Sequence, residues 1–412
     1  MLYHYGMKTL TLKTAALPAA SPRSPVRVLI GGILGMMVAM GIGRFAFTPI
    51  LPLMQRDLGV SHSLAGGLAS LNYSGYLAGA LLCAIWPGVL RSVSVNIGAL
   101  GACIATTMLM ALTTDPFWWG ALRLLAGTAS ALLFVAIAIE VSEILAQSRH
   151  SSWSSALYGG IGLGIALSGA VVPLLDRFNG WSGAWLGMGA LSVVLALIGV
   201  TVAGKRRGAV AVPDGGAAPA VAGCLSGLAR LATAYLFEGV GYIVSATFLV
   251  TMVAHTPGLA GFASWSWVAV GLAAAPSTVI WQRTAARIGV RPALTVAYLL
   301  QAGGILLSIN VATPFTAGLA AIIFGGTFLG IVALSMAEAG RRCAAEGRRA
   351  AAVMTVCFGA GQVVGPSLAG FLADKQGGFA LPLLLAGIVV ASGAVLTATD
   401  GHFSREGRNS RR

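Results

Sequence analysis

Long apolar segments separated by short polar connections recur along almost the whole chain of 412 residues. A helix that crosses a bilayer needs ~20 mostly apolar residues, and stretches of that length recur down the sequence. Twelve are predicted, at 28–53, 63–87, 93–113, 116–140, 152–175, 183–203, 228–254, 261–282, 292–311, 314–338, 350–373 and 379–399. Strands of a membrane barrel would show alternating runs of ~10 residues instead. The pattern predicts an all-α polytopic membrane protein with twelve transmembrane helices.

Basic residues are concentrated in the two tails and in every second connection between these segments. Of 26 Lys and Arg residues, only Arg56, Arg177 and Lys375 lie in the other connections, while Arg44, Arg123 and Arg230 lie within apolar segments. Because cytoplasmic connections are enriched in Lys and Arg, both termini are predicted to be cytoplasmic and the chain to lie in the cytoplasmic (inner) membrane. The same topology explains the net charge of +14, so no nucleic-acid partner is predicted.

Glycines and acidic residues repeat at an almost constant offset. Gly41, Gly43, Gly127 and Glu140 recur 198 positions later as Gly239, Gly241, Gly325 and Glu338, and Gly160, Gly164 and Gly169 recur 201 positions later as Gly361, Gly365 and Gly370. The repeat predicts two related six-helix bundles at 28–203 and 228–399. A cytoplasmic linker at 204–227 would join them, and basic cytoplasmic tails would occupy 1–27 and 400–412.

Two parallel six-helix halves describe the major facilitator architecture, in which substrate sits near the midplane between the halves. The run from Gly41 to Met54, GIGRFAFTPILPLM, with the run LNYSGYLAG that begins at Leu71, resembles the YbfB/YjiJ-type branch of this superfamily. Arg123-Leu-Leu-Ala-Gly127 is similar to the fourth-helix motif whose arginine is associated with proton coupling. The resemblance implies a major facilitator fold and a secondary active transporter that works by rocker-switch alternating access.

Three ionisable residues lie deep inside predicted helices: Arg44, Arg123 and Glu238. Such residues are rare in bilayers and usually mark substrate or ion paths. Burial favours a neutral carboxyl group, whereas a nearby cation favours the carboxylate, so approach of either arginine would switch Glu238 between the two forms. We predict a substrate and proton-coupling site at these residues. The alternative is a static ion pair that holds the halves together. Arg230 lies a turn inside its helix and is predicted to reach the interface.

Other polar residues predict the cavity and a cytoplasmic gate. The cavity candidates are Asn72, Tyr73, Tyr76, Tyr158 and Tyr242. The superfamily loop motif normally contains aspartate, but the stretch from Gly79 to Arg91 has none and the second-half equivalent has Ala286. We therefore predict that Glu140 and Glu338 act as substitute latches near basic loops, with Arg287 and Arg291 as gate candidates. Exposed helix-end ion pairs worth at most ~1 kcal/mol are the alternative.

Motifs of other protein classes are missing from the sequence. It has no HExxH, no phosphate-binding loop with Lys and Ser/Thr and no nucleophile elbow, so neither an enzyme, a cofactor nor a metal site is predicted. The predicted partners are a small organic solute, protons and lipid, with the monomer as functional unit. An uncoupled facilitator is the alternative function, and a non-transporting receptor or scaffold is a remote one. Two deep arginines favour an anionic solute, whereas a lone glutamate favours a cationic one.

Overall fold

A computed structural model describes residues 24–204, 224–343 and 346–401, and most of the predicted linker and tails lies outside these ranges. The described residues are helical, with no strand among them. The membrane helices are α1 (Pro25–Leu58), α2 (His62–Ile85), α3 (Val93–Leu109), α4 (Pro116–Gln147), α5 and α6 (the two arms of Gly159–Ala203), α7 (Cys224–His255), α8 (Ala263–Ile288), α9 (Val290–Leu307), α10 (Pro314–Arg342), α11 (Gly347–Gln376) and α12 (Ala380–Ala398).

The continuous helical stretch Gly159–Ala203 is two membrane passes. A straight helix of 45 residues would be about 68 Å long, more than twice the bilayer core. The backbone leaves helical geometry at Asn179 and Gly180, where Gly180 has φ of 57° and ψ of −144°. Both arms return to α1, because Gly160 lies against Ile33 and Gly199 against Leu34. With this hairpin, the eleven apolar spans of the described chain give twelve passes, which confirms the predicted fold class.

The repeated glycines occupy matching helix contacts. A Cβ on Gly127 of α4 would lie 1.9 Å from the Asn72 carbonyl oxygen of α2, and one on Gly325 of α10 would lie 2.2 Å from that of Val270 of α8. Gly160 packs on α1 in the way that Gly361 packs on α7. Small residues let helix backbones approach closely in bilayers. These contacts support the proposed bundles at 28–203 and 228–399.

The last glycine pair joins the two halves. Gly169 of α5 packs against Ser264 and Val268 of α8, and Gly370 of α11 packs against His62 of α2. The helix pairs α5/α8 and α2/α11 therefore form the seam between the halves. The repeat relates α5 to α11 and α2 to α8, so the two pairs are equivalent. Gly162 of α5 and Gly271 of α8 bring the backbones of the first pair into contact. The seam leaves the remaining inner helices to line a space between the halves.

Two faces of the protein are defined by its helix ends. The terminal face carries the start of α1 and the end of α12, and the distal face carries the end of α1 and the start of α2. Hydrogen bonds across the halves close the distal side: Thr48 Oγ1 to Ala246 O (2.5 Å), Thr251 Oγ1 to Gln55 Oε1 (3.2 Å), Ser367 Oγ to Ser70 Oγ (2.7 Å), and the His62 and Ser63 amides to the Asp374 carboxylate (3.1 and 2.8 Å). The distal half of the seam is therefore shut.

Substitution of Gly127 by alanine is expected to lower the melting temperature of the purified protein, because the new methyl group would overlap the Asn72 carbonyl oxygen. Overpacking of this kind costs about 1–3 kcal/mol. Gly326→Ala is the matched control, since a Cβ there meets nothing within 4 Å and alanine favours the helix. Thermal unfolding in detergent checks the pair. Equal melting temperatures for the two variants would contradict close packing at Gly127.

Candidate functional site

A break in α1 exposes Arg44 to the space between the halves. The helix runs as a π-helix over Met37–Ile42, turns over 43–46 and resumes as an α-helix at Phe47–Leu58. Pro49 and Pro52 follow the break, and proline removes one helical hydrogen bond and crowds the preceding turn. Single π turns inside helices are frequent at functional sites. The π-helix thus widens α1 just before Arg44, the charged residue in the middle of this helix.

The Arg44 side chain is 3% exposed and is held by aromatic rings rather than by an acid. Its guanidinium carbon lies 4.5 Å from the centre of the Tyr73 ring and 4.3 Å from that of Tyr76. Arginine stacks favourably on aromatic faces. Its Nε and Nη2 atoms have no hydrogen-bond partner, and no carboxylate pairs with it among the residues that the structure describes. Arg44 is therefore a fixed, uncompensated positive charge.

Arg123 lies beside Arg44 but behind the wall of the cavity. Its Nη2 donates to the Arg44 carbonyl oxygen at 3.4 Å, and its guanidinium lies 4.7 Å from the centre of the Phe47 ring. Asn72 Nδ2 in turn donates to the Arg123 carbonyl oxygen at 2.9 Å. Two of the predicted site residues, Arg123 and Asn72, thus support the broken helix from α4 and α2. They do not face the space between the halves.

A cavity of about 510 Å³ lies between the halves, and aromatic side chains dominate its inner part. Four predicted residues line it, Arg44, Tyr76, Tyr158 and Tyr242, whereas Asn72, Tyr73, Arg123 and Glu238 do not. Sequence reasoning missed most of its wall, including Phe45, Phe134, Tyr235, Gln282, Phe328, Phe358 and Gln362. The spacing of Tyr235 and Tyr242, two turns apart on α7, is a signal that could have indicated the cavity-facing side of this helix.

The cavity wall extends towards the terminal face. Ser142, Gln282 and Met336 line it within about two turns of the terminal ends of α4, α8 and α10. At the other end, the lining stops near Arg44 and Phe45, below the hydrogen bonds that close the distal side. The cavity therefore has a polar terminal part and an aromatic inner part with one charge.

Glu238 is fully buried inside the second half, and its partner differs from the prediction. Its Oε1 accepts a hydrogen bond of 2.5 Å from Gln301 Nε2 of α9. Neither Arg44 nor Arg123 contacts it, so the static ion pair between the halves does not form. The reason is the direction of the side chain, because Glu238 points from α7 towards α9. It still lies within about one turn of Tyr235 and Tyr242, which line the cavity.

The gate candidate Glu338 pairs with basic residues of its own helix. Glu338 receives hydrogen bonds from Arg341 (2.6 and 2.9 Å) and Arg342 (2.7 Å) of its own helix, and Arg342 also binds Asp400. Spacings of three and four residues put these side chains on one helix face. Arg291 donates to the Ala398 carbonyl oxygen, and Arg287 is exposed. Glu140 lies half-buried near the end of α4. Arg230 donates to the Thr399 carbonyl oxygen.

Comparison with known proteins decides the family. The sequence model of one family, described as uncharacterised MFS-type transporter YbfB, matches residues 36–398. The chain belongs to this family. No curated protein matches it significantly. Among solved structures, nucleoside transporter NupG matches with a TM-score of 0.67 and 16% identity over 92% of this chain and 99% of that one. An aspartate-to-alanine mutant of NupG matches with a TM-score of 0.67 and 15% identity over 91% of this chain and 98% of that one.

Membership in the YbfB-type family makes the chain a multi-pass membrane transporter of the major facilitator superfamily. The NupG structures share the fold at low sequence identity, which says nothing about the solute of this family member. The aromatic cavity and Arg44 are the features of this chain that bear on its solute.

Proposed function

We propose that this YbfB-type protein moves a small organic solute across the cytoplasmic membrane by rocker-switch alternating access. The observation that carries the proposal is the asymmetry of the cavity between the halves. Its wall runs towards the terminal face, where Ser155 of the first half bonds to Thr278 and Gln282 of the second, while the four sets of hydrogen bonds described above close its distal side. With both termini in the cytoplasm, this state would be the inward-facing one. The opposite state would break these bonds and close the terminal side.

Proton coupling through Glu238 is part of the proposal. A buried charge without a cationic partner is costly, so the neutral carboxyl group is favoured in this state. Glu238 Oε2 and Gln301 Oε1 are both buried acceptors without a partner in the described part of the chain. A proton on Oε2 would turn one of these two acceptors into a donor. The hydroxyl groups of Tyr235 or Tyr242 would connect it to the cavity. An uncoupled facilitator is the alternative, in which Glu238 stays protonated throughout.

Alternating access is testable without knowing the solute. In a background with all five cysteines replaced, Ala333→Cys would report on the cavity wall. We expect an impermeant maleimide to label it in both right-side-out and inside-out vesicles, because the cavity opens to each face in turn. Adding Ser70→Cys and Ser367→Cys, whose hydroxyl oxygens lie 2.7 Å apart, would allow a disulfide that holds the distal side shut.

Oxidation of that pair should restrict labelling to inside-out vesicles, and a reductant should restore it. The single variants Ser70→Cys and Ser367→Cys are the controls, since neither can form the disulfide. Labelling from one face only in the unlinked protein would contradict alternating access. Labelling of the linked protein only in right-side-out vesicles would contradict the proposed orientation.

A further inference from the structure

The cavity contains a single charge, and this limits the charge of what it binds. Among the described side chains that line it, Arg44 is the one that has a formal charge, and none of them is a carboxylate. A cationic solute would therefore meet repulsion from Arg44 and have no counter-charge. A neutral solute would leave a buried cation unpaired, and a multiply charged anion would exceed the one cation present. A ligand with a single negative charge therefore matches this cavity best.

The setting of the Arg44 side chain also indicates where the anion binds. Tyr73 and Tyr76 contact the guanidinium group through their ring faces, at 4.5 and 4.3 Å from the ring centres. Stacking occupies the faces of the planar group but not its N–H donors, which lie in the plane. Nε and Nη2 are two such donors, buried and without a hydrogen-bond partner. An arginine fork of this kind matches the two oxygens of a carboxylate.

The walls beside Arg44 are built from flat rings. In the second half, four rings form a nearly parallel series in the order Tyr235, Phe358, Tyr242 and Phe328. The centres of successive rings are 4.3 to 5.8 Å apart, and their planes differ by at most 10°. On the first half, Tyr76, Phe134 and Tyr158 are tilted against one another, with centres 6.3 and 6.0 Å apart. Rings bind other rings through offset faces and edges. These walls favour a planar apolar body over a hydroxyl-rich one.

We propose that the cavity binds a small aromatic monoanion, with its carboxylate on the Arg44 guanidinium group and its ring among the aromatic side chains of the two walls. The inference rests on the proposed function in that the bound anion would be the transported solute. A volume of about 510 Å³ accommodates a single substituted ring with room to spare. Most other polar lining residues, such as Ser142, Ser154 and Gln282, lie towards the terminal face, away from Arg44.

Calorimetric titration of the full chain in detergent tests the proposal, with benzoate as the probe. Benzamide is the neutral analogue of the same shape, and cyclohexanecarboxylate carries the same charge on a ring that is not flat. We expect benzoate to bind at least about tenfold more tightly than benzamide, because a hydrogen bond to a charged group is stronger. We expect it to bind about threefold or more tightly than cyclohexanecarboxylate, because only a flat ring stacks.

Two variants separate the contributions of charge and ring. Arg44→Gln should weaken benzoate at least about tenfold and leave benzamide unchanged. Phe358→Leu should remove the preference for benzoate over cyclohexanecarboxylate. Arg230→Gln, at an exposed site outside the cavity, should change neither affinity. Equal affinities of the wild type for benzoate and benzamide would overturn the charge assignment, and equal affinities for the two carboxylates would overturn the ring assignment.

Failure of this inference is distinguishable from failure of the proposed function. The affinities are measured at equilibrium on a protein that need not change conformation, whereas the maleimide experiment follows the change of conformation without any ligand. Absence of benzoate binding together with labelling from both faces would overturn only the solute class. The expected affinities together with labelling from one face would leave a binding site and overturn transport.

Discussion

Replacement of Arg44 by glutamine is expected to slow uptake of an aromatic anion by about one to two orders of magnitude while changing the melting temperature by no more than a few degrees. Arg44 makes no ion pair in the described chain, so its removal leaves no orphaned carboxylate behind. The variant loses the stacking on Tyr73 and Tyr76, worth about 2 kcal/mol each when desolvated. It also relieves a buried, uncompensated charge that costs several kcal/mol. The two effects have opposite signs and similar sizes.

Uptake of radiolabelled benzenesulfonate into proteoliposomes measures the functional effect. This anion stays ionised and therefore does not cross the lipid as a neutral acid. We expect kcat/KM to fall about 10- to 100-fold, the value of a lost charge-assisted interaction. Arg230→Gln is the matched control and should transport normally. A large loss of thermal stability with transport retained would show that Arg44 is a structural residue.

The sequence identified ionisable residues inside long apolar segments but could not predict the direction in which each side chain points. Arg44, Arg123 and Glu238 were placed deep in their helices, and all three are buried. Only Arg44 faces the cavity, because the π-helix and the prolines of α1 open the helix at that point. Which way Glu238 points depends on the packing of α7 against α9, and Gln301 lies 63 positions away in the sequence. Nothing local to either residue encodes that pairing.

The glycine repeat was the more informative pattern, because a close backbone contact needs a glycine at one particular place. Gly127 and Gly325, and likewise Gly160 and Gly361, face equivalent helices in the two halves. The aromatic residues of the cavity wall show no comparable pattern in the sequence. In the sequence, a phenylalanine such as Phe328 or Phe358 cannot be distinguished as facing lipid, the protein core or a cavity. Glu338 was predicted to act as a latch beside basic residues of its own half, and it pairs with Arg341 and Arg342, which lie three and four residues further along the same helix.

Substitution of Glu238 by glutamine is expected to remove the effect of a pH gradient on solute accumulation while leaving the protein folded. Glutamine has the shape of the protonated carboxyl group and still accepts from Gln301 Nε2, so the packing between α7 and α9 is kept. It cannot release a proton. The carrier would then cycle with its solute alone, and accumulation would stop following the gradient.

Steady-state accumulation of benzenesulfonate in proteoliposomes with a pH gradient of one unit provides the measurement. A transporter that moves one proton with each solute changes the accumulation ratio by up to about tenfold, since one pH unit corresponds to 1.36 kcal/mol. We expect this effect in the wild type and its loss in Glu238→Gln, while exchange of labelled for unlabelled solute continues in both. Glu238→Asp, which keeps a titratable group, should retain part of the effect of the gradient.

If accumulation by Glu238→Gln still follows the gradient, Glu238 does not carry the proton. If the wild type exchanges solute but ignores the gradient, the protein is an uncoupled facilitator, and its buried glutamic acid serves only to join α7 to α9.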